Sequence, residues 1–235
     1  MDYHVFINSL LEYYQLYERG LKKQANKYIQ DYVISLSQWD KDKLRDVLFH
    51  FTKELCDEQG YDFCKRGNGR IPYALDVFLR DYLYSECLEN KMPQLRWFYE
   101  LYKNDKFGVN YARNMLEKAY LSEKCDTKTV ELFFYMWIEI LAWGSHHFPN
   151  GCLITKEAME NAVKQCKKII SEKDVNEKFR KQLEYFETLY ICYYQFEEDN
   201  RTKTFEDYCH QADIEFICNN AYYYNYWELD DLWLI

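Results

Sequence analysis

Two adjacent histidines, His146 and His147, are the residues whose chemistry stands out first, because Cys152 follows them in a loop that contains glycine and proline. Neutral imidazole and thiolate groups are good zinc ligands. Adjacent histidine side chains tend to diverge, so a site would need a further ligand, such as Glu139 or His210. The alternative is that both imidazoles hydrogen-bond to loop carbonyls and fix the turn. The spacing leaves both interpretations open.

The other polar motifs indicate no particular reaction. Asp207 and His210 have the spacing of a carboxylate–histidine pair on a helix, but di-iron bundles need Glu-x-x-His twice and the sequence has none. The loop 65–70 is basic and rich in glycine, yet it lacks the Gly-Lys-Ser/Thr of a phosphate-binding loop. Gly-x-Ser-x-Gly is absent as well. We therefore predict no catalytic residue and no cofactor, and expect a binding protein rather than an enzyme.

The net charge of −9 is concentrated near the C-terminus. Residues 184–235 contain twelve acidic and two basic residues, a net charge of −10, whereas residues 1–183 carry +1. Acidic groups beside exposed aromatic rings suit a basic protein partner and repel nucleic-acid phosphates. The predicted partner-binding residues share this acidic or aromatic character: Tyr222, Tyr223, Tyr224, Tyr226, Trp227, Glu228, Asp230, Asp231 and Trp233. The alternative is that the aromatic residues form core and the acidic ones its wet face.

These features predict a protein–protein interaction module without a nucleic-acid ligand. Its sharpest form is an inhibitor or immunity-type protein that masks a basic partner, such as a nuclease toxin, through the acidic aromatic C-terminal region. The alternative function is a metal-dependent enzyme of helical-bundle type that uses the loop of His146 and His147. Elemental analysis of the purified protein distinguishes the two.

Hydrophobic spacing predicts helices along the whole chain, because apolar residues recur with a helical period and only seven glycines and three prolines interrupt them. Asp40, Asp126 and Thr155 are predicted to cap helices. Glu139 falls beside the inward stripe of its helix, so we expect it at the polar edge. The predicted fold class is all-α, with about ten antiparallel helices in a single stack. Either a degenerate helical-hairpin solenoid or a compact multi-helix bundle would fit, as one domain spanning residues 1–235.

The nine cysteines have irregular spacings and no Cys-x-x-Cys pair. Most follow apolar helical positions, which is typical of buried reduced thiols; these are Cys56, Cys87, Cys166, Cys192 and Cys218. The first residues lack the basic and apolar regions of a signal peptide, and no apolar run is long enough to cross a membrane. We therefore expect a cytoplasmic protein without a membrane partner.

Overall fold

The computed structural model describes residues 2–58, 71–104 and 109–216. These ranges contain ten helices and no strand, which confirms the predicted all-α class. The helices are α1 (Asp2–Glu18), α2 (Lys22–Leu36), α3 (Lys41–Asp57), α4 (Tyr73–Leu88), α5 (Gln94–Tyr102), α6 (Val109–Leu121), α7 (Thr127–Ser145), α8 (Lys156–Glu172), α9 (Glu177–Glu198) and α10 (Phe205–Gln211).

Three helix starts follow from the residue that precedes each helix. The side chains of Asp40, Asp126 and Thr155 each accept a hydrogen bond from the backbone N–H three residues later, at 3.1, 2.7 and 3.2 Å. These bonds satisfy N–H groups that the first helical turn leaves without a partner. The predicted caps of α3, α7 and α8 are therefore confirmed.

The chain divides into two compact units, Met1–Thr129 and Val130–Ile235. In the N-terminal unit, α1 packs on α2 and α3, and α5 packs between α4 and α6 while also touching α3. Apolar side chains from all of these helices form its core, including Phe6, Phe51, Leu79, Trp97 and Leu116. The prediction of one domain over residues 1–235 stays a prediction.

The C-terminal unit is centred on α9, which packs against α8 and α10. Its core is rich in aromatic rings: Phe134 of α7 lies 5.1 Å from Phe179 of α9, measured between ring centroids. The hydroxyl of Tyr190 donates a hydrogen bond of 2.9 Å to the carbonyl of Leu141, which ties α9 to α7. Burial of such large rings provides most of the apolar area that stabilises a unit of this size.

The last described helix is shorter than predicted. Hydrophobic spacing predicts a helix over 203–221, but α10 ends at Gln211. Asp213 has a φ of 58°, and the N–H of Ile214 bonds back to the carbonyl of Cys209 at 3.0 Å. A left-handed residue after the last turn closes a helix. The prediction was wrong for residues 212–216, and 217–221 lie outside the described residues.

The seven described cysteines are free thiols, and four of them are buried: Cys87, Cys166, Cys192 and Cys209. Cys56 is half-buried, and Cys218 lies outside the described residues. Within the described ranges, no helix combines the length and the apolar character needed to traverse a lipid bilayer.

Candidate functional site

The two histidines lie where α7 ends. The ring of His146 stacks on Trp143 with centroids 5.9 Å apart, and the rings of His146 and His147 lie 5.2 Å apart at 68°. The turn is closed by backbone bonds, such as the N–H of Asn150 to the carbonyl of His147 at 2.8 Å. No group of three or more His, Cys, Asp or Glu side chains in the described ranges is arranged to hold a metal ion. The metal site at His146 and His147 therefore stays a prediction, and the described residues supply no third ligand for it.

The residues considered as further ligands have other surroundings. Glu139 is exposed on α7, which confirms its predicted place at the polar edge of the helix. The thiol of Cys152 lies 3.2 Å from the carbonyl of Ile154. His210 is exposed at the end of α10. The loop therefore resembles a structural turn that carries an exposed indole, since Trp143 is 53% exposed.

The predicted partner-binding residues, from Tyr222 to Trp233, lie outside the described residues. The acidic stretch that leads to them is described as far as Phe216, so its side chains show how acidic and aromatic groups are arranged. Aromatic residues of α9 and α10 are mostly buried: Phe186, Tyr190, Tyr193, Phe196, Phe205 and Tyr208. Within residues 184–216, the aromatic residues therefore form core and most of the acidic residues are exposed, whereas for 222–233 both interpretations stay predictions.

One cluster of stacked rings holds α9 and α10 together. Phe148 stacks on Tyr193 with centroids 4.0 Å apart and parallel planes, and Phe205 meets Phe148 edge-on at 5.7 Å. The ring centroids of Phe216 and Phe205 lie 4.7 Å apart, so the last described residue packs on this cluster. Offset and edge-on rings add to the stabilisation that burial alone supplies. The two helices that carry the acidic residues are therefore packed together by this ring cluster.

The carboxylates of this stretch point to solvent. Six exposed acidic residues form what we call the acidic surface, and none of them has an ion-pair partner among the described side chains: Glu184, Glu198, Asp199, Glu206, Asp213 and Glu215. The two basic residues of the stretch are engaged elsewhere. Arg201 pairs with Glu197 at 2.7 Å, and the Nζ of Lys203 lies 5.9 Å from the centre of the Tyr208 ring.

Hydrogen bonds fix the helices that carry the acidic surface. Thr204 and Asp207 exchange hydrogen bonds in a capping box that sets the start of α10. These bonds also hold the pKa of Asp207 below its usual value. The hydroxyl of Tyr208 donates a bond of 2.6 Å to Asp199, which raises the pKa of the phenol. These hydrogen bonds fix Asp199 and the first turn of α10, which carries Glu206.

A groove runs between α8 and α9 in the same unit. Its cavity has a volume of about 410 Å³. Apolar parts of Met159, Val163, Tyr190, Ile191 and Tyr194 line it, while lysines and glutamates stand at its rim. Ile191 is 56% exposed, so the apolar lining is open to solvent. We call this feature the α8–α9 groove.

The N-terminal unit holds its most unusual polar feature inside. Arg96 is 3% exposed and lies among three carboxylates and Lys128. It binds Asp57 through two nitrogens at 2.8 and 3.2 Å and also pairs with Glu100. Its Nε lies 3.4 Å from Asp126, an ion-pair distance without hydrogen-bond alignment. We call these residues the Arg96 network: Arg96, Asp57, Glu100, Asp126 and Lys128.

The electrostatics of this network favour its charged form. Burial alone would raise the pKa of Asp57, but hydrogen bonds from Arg96 and the Trp97 indole lower it below its usual value. The indole bond is 2.9 Å long, and Lys128 adds an ion pair of 2.7 Å to Glu100. Burial would lower the pKa of Arg96, yet its carboxylate neighbours raise it. The two cations face three carboxylates, which leaves the network with a net charge of −1, and its ion pairs join α3, α5 and the start of α7.

Sequence reasoning missed this network, although one local signal exists. Arg96 stands inside the apolar run of α5 with Glu100 four residues later, a spacing that pairs side chains on one helix face. Its other partners come from the end of α3 and the start of α7, and no local pattern reveals them.

In comparisons with known proteins, no family model, no curated protein and no solved structure matches this chain.

Proposed function

We propose that this protein is a protein-binding module that recognises a basic protein partner through its acidic C-terminal region, as an inhibitor or immunity-type protein would. The observation that carries the proposal is the acidic surface. Its six exposed carboxylates, from Glu184 to Glu215, have no ion-pair partner among the described side chains. A surface whose charge is left uncompensated is suited to a partner that brings the opposite charge.

The acidic surface has the rigidity that recognition favours. Its residues stand on α9, α10 and the turn after α10, which the ring cluster of Phe148, Tyr193 and Phe205 packs together. Binding would therefore cost this surface less conformational entropy than it would cost a flexible acidic segment. Long-range attraction between this surface and a basic protein would also raise the association rate.

The sequence after the acidic surface adds anchoring side chains. Tyr222, Tyr223, Tyr224, Tyr226 and Trp227 follow it directly along the chain. Tyrosine and tryptophan carry much of the binding energy at protein interfaces. Charge would thus steer the partner, and the aromatic residues would supply contact area.

The experiment is affinity capture from the native host, followed by reconstitution with the purified captured protein. We expect a basic partner, retained at about 50 mM salt and released at about 500 mM, because salt screens charges that are exposed to solvent. Titration calorimetry at both salt concentrations then gives the dissociation constant. A variant that neutralises four carboxylates of the acidic surface should bind at least roughly tenfold more weakly: Glu198→Gln, Glu206→Gln, Asp213→Asn and Glu215→Gln.

A matched control removes the same number of charges from the other unit. Its substitutions are at exposed residues of α1, α2, α6 and the turn after α6: Glu18→Gln, Asp31→Asn, Glu117→Gln and Glu123→Gln. The control should keep the affinity of the unmodified chain, although both variants have the same net charge. Equal weakening in both would mean that only overall charge matters, and a salt-independent complex would contradict the proposal outright.

The metal-dependent enzyme remains the other prediction, based on His146 and His147. Within the described ranges, no observation beyond the proximity of the two imidazoles favours it. We therefore do not propose it as the function.

A further inference from the structure

We propose that the last nine residues of this chain, 227–235, dock into the α8–α9 groove of the free protein. The proposal concerns the chain by itself and does not depend on the partner proposed above. It rests on the apolar lining of the groove, the spacing of apolar residues in the segment and the length of chain available.

The groove offers an apolar surface that solvent reaches. Met159 and Val163 of α8 face Ile191 and Tyr194 of α9 across a volume of about 410 Å³. That volume accommodates two or three large apolar side chains. An exposed apolar depression of this kind is typical of a site that another segment covers.

The segment carries apolar side chains at a spacing that matches a groove between helices. Leu229, Leu232 and Trp233 are separated by three and four residues, so a helical turn would place them on one side. Glu228 and Asp230 would then flank that side, and Asp231 would lie opposite it. Amphipathic segments with such anchors commonly bind in apolar grooves.

The charges at the rim are balanced, so apolar contacts decide what the groove binds. Lys167 pairs with Glu187 at 2.6 Å, and Lys164 and Glu160 also line the groove. Lys156 and Glu157 both lie near the Tyr194 ring. The rim therefore carries no net charge, and the three carboxylates of the segment would remain in solvent.

The chain is long enough to reach the groove. Phe216 packs on Phe205, and the carbonyl of Glu215 lies 3.4 Å from the Tyr185 hydroxyl, on the side of α9 away from the groove. Passing half-way around a helix about 10 Å wide takes roughly six extended residues. Residues 217–226 supply ten. A segment tethered in this way has an effective concentration in the millimolar range, so modest affinity is sufficient for docking.

The test places a photo-reactive benzoyl-phenylalanine at position 191 of the otherwise unmodified chain of residues 1–235. Irradiation should cross-link it within the same chain to residues 227–235. Because no lysine or arginine follows Lys203, trypsin releases residues 204–235 as one peptide, and its fragmentation spectrum locates the cross-link. A cross-link found only in covalent dimers would assign the groove to a second copy and overturn the proposal. The absence of any cross-link to 227–235 would overturn it too.

Position 34 provides the matched control, since Ile34 is 62% exposed on α2 of the other unit and resembles Ile191 in type and exposure. Benzoyl-phenylalanine at position 34 should give no cross-link to 227–235. A second readout uses limited chymotrypsin digestion. Ile191→Asp should raise the cleavage rate at Trp227 and Trp233 roughly tenfold, because cleavage follows the population of the undocked form. Ile34→Asp should leave the rate unchanged, and equal rates in all three chains would contradict docking.

This experiment separates the docking from the proposed function, because it uses the purified chain alone. Failure of the cross-link leaves partner binding by the acidic surface untouched. Failure to find a basic partner likewise leaves the cross-link as it is. If the segment docks and a basic partner also binds, docking would bury Trp227 and Trp233 until the partner displaced the segment.

Discussion

The two units use charge in opposite ways. In the N-terminal unit, Arg96 is enclosed by the carboxylates of Asp57, Glu100 and Asp126. In the C-terminal unit, stacked rings such as Phe148 and Tyr193 fill the interior, and the carboxylates of the acidic surface face solvent. A charge that is neutralised inside a unit supports its packing, whereas an uncompensated charge outside can attract a partner. The N-terminal unit is therefore held partly by ion pairs, whereas the described part of the C-terminal unit leaves the carboxylates of the acidic surface without ion-pair partners.

The largest expected effect comes from removing the charge at the centre of the Arg96 network. Arg96→Met should lower the free energy of unfolding by about 3 kcal/mol, because it leaves Asp57 and Glu100 without their main counter-charge. Urea unfolding measures the loss. Hydrogen exchange should place it in α3 and α5 rather than in α9.

Arg113→Met is the matched control, since Arg113 is exposed on α6 of the same unit. It should leave the urea midpoint nearly unchanged. If Arg96→Met and the unmodified chain were equally stable, the ion pairs of Arg96 would contribute no more to stability than the apolar packing of a methionine.

A smaller effect is expected where Gly144 of α7 lies against Tyr190 of α9. A Cβ at Gly144 would overlap the hydroxyl of Tyr190 and lie 2.5 Å from the Cδ1 of Ile154. Gly144→Ala should therefore cost about 2 kcal/mol of stability from overpacking. In an open helical position, the same change would be stabilising by about 1 kcal/mol, so the sign of the effect is diagnostic.

Two further variants sharpen this prediction. Gly151→Ala should be nearly neutral, because nothing lies within 4 Å of a Cβ at that position. Tyr190→Phe removes the hydroxyl and its bond to Leu141, at a cost of about 1 kcal/mol. In that background, Gly144→Ala should cost less than it does alone. Strict additivity in thermal unfolding of the four chains would rule out the contact with the hydroxyl.

The smallest expected effect is a dependence of stability on pH in the N-terminal unit. The pKa of Asp57 is lowered from its usual value near 3.8 by Arg96 and Trp97, against the effect of burial. A carboxyl whose pKa is depressed in the folded state stabilises the fold above its unfolded pKa and loses this contribution as pH falls. The urea midpoint should therefore decrease as pH falls below about 4.

Asp57→Asn tests this assignment. The variant should be less stable than the unmodified chain near neutral pH, and the difference should shrink on acidification. Asp31→Asn is the control, because Asp31 is exposed on α2 of the same unit, and it should leave the dependence of the urea midpoint on pH nearly unchanged. A difference that stays constant from pH 7 to pH 3 would assign the acid sensitivity to other groups.

The sequence was sufficient to predict the helices because their signals are local. Apolar residues three and four positions apart share a helix face, and Asp40, Asp126 and Thr155 cap helices through neighbours three residues away. The end of α10 was harder to predict. Apolar spacing continues past Gln211, but the left-handed backbone at Asp213 ends the helix, and aspartate also occurs commonly within helices.

The candidate sites show the same limit. The sequence placed an excess of acidic residues after position 184, and those described as far as Glu215 are mostly exposed. It did not show which aromatic residues of this stretch are buried, since Tyr193 and Phe205 become core only when α10 folds back on α9. The α8–α9 groove was likewise hidden, because neither helix forms it alone.

By itself, the sequence determined the helical class, the position of several caps and the charge imbalance between the two ends of the chain. These properties depend on residue type and on spacings shorter than two helical turns. The tertiary structure alone decided that Arg96 lies among carboxylates from three helices and that Gly144 accommodates Tyr190. The bonds of Arg96 to Asp57 and of Tyr190 to Leu141 join residues 39 and 49 positions apart along the chain, and only the packing of whole helices brings them within bonding distance.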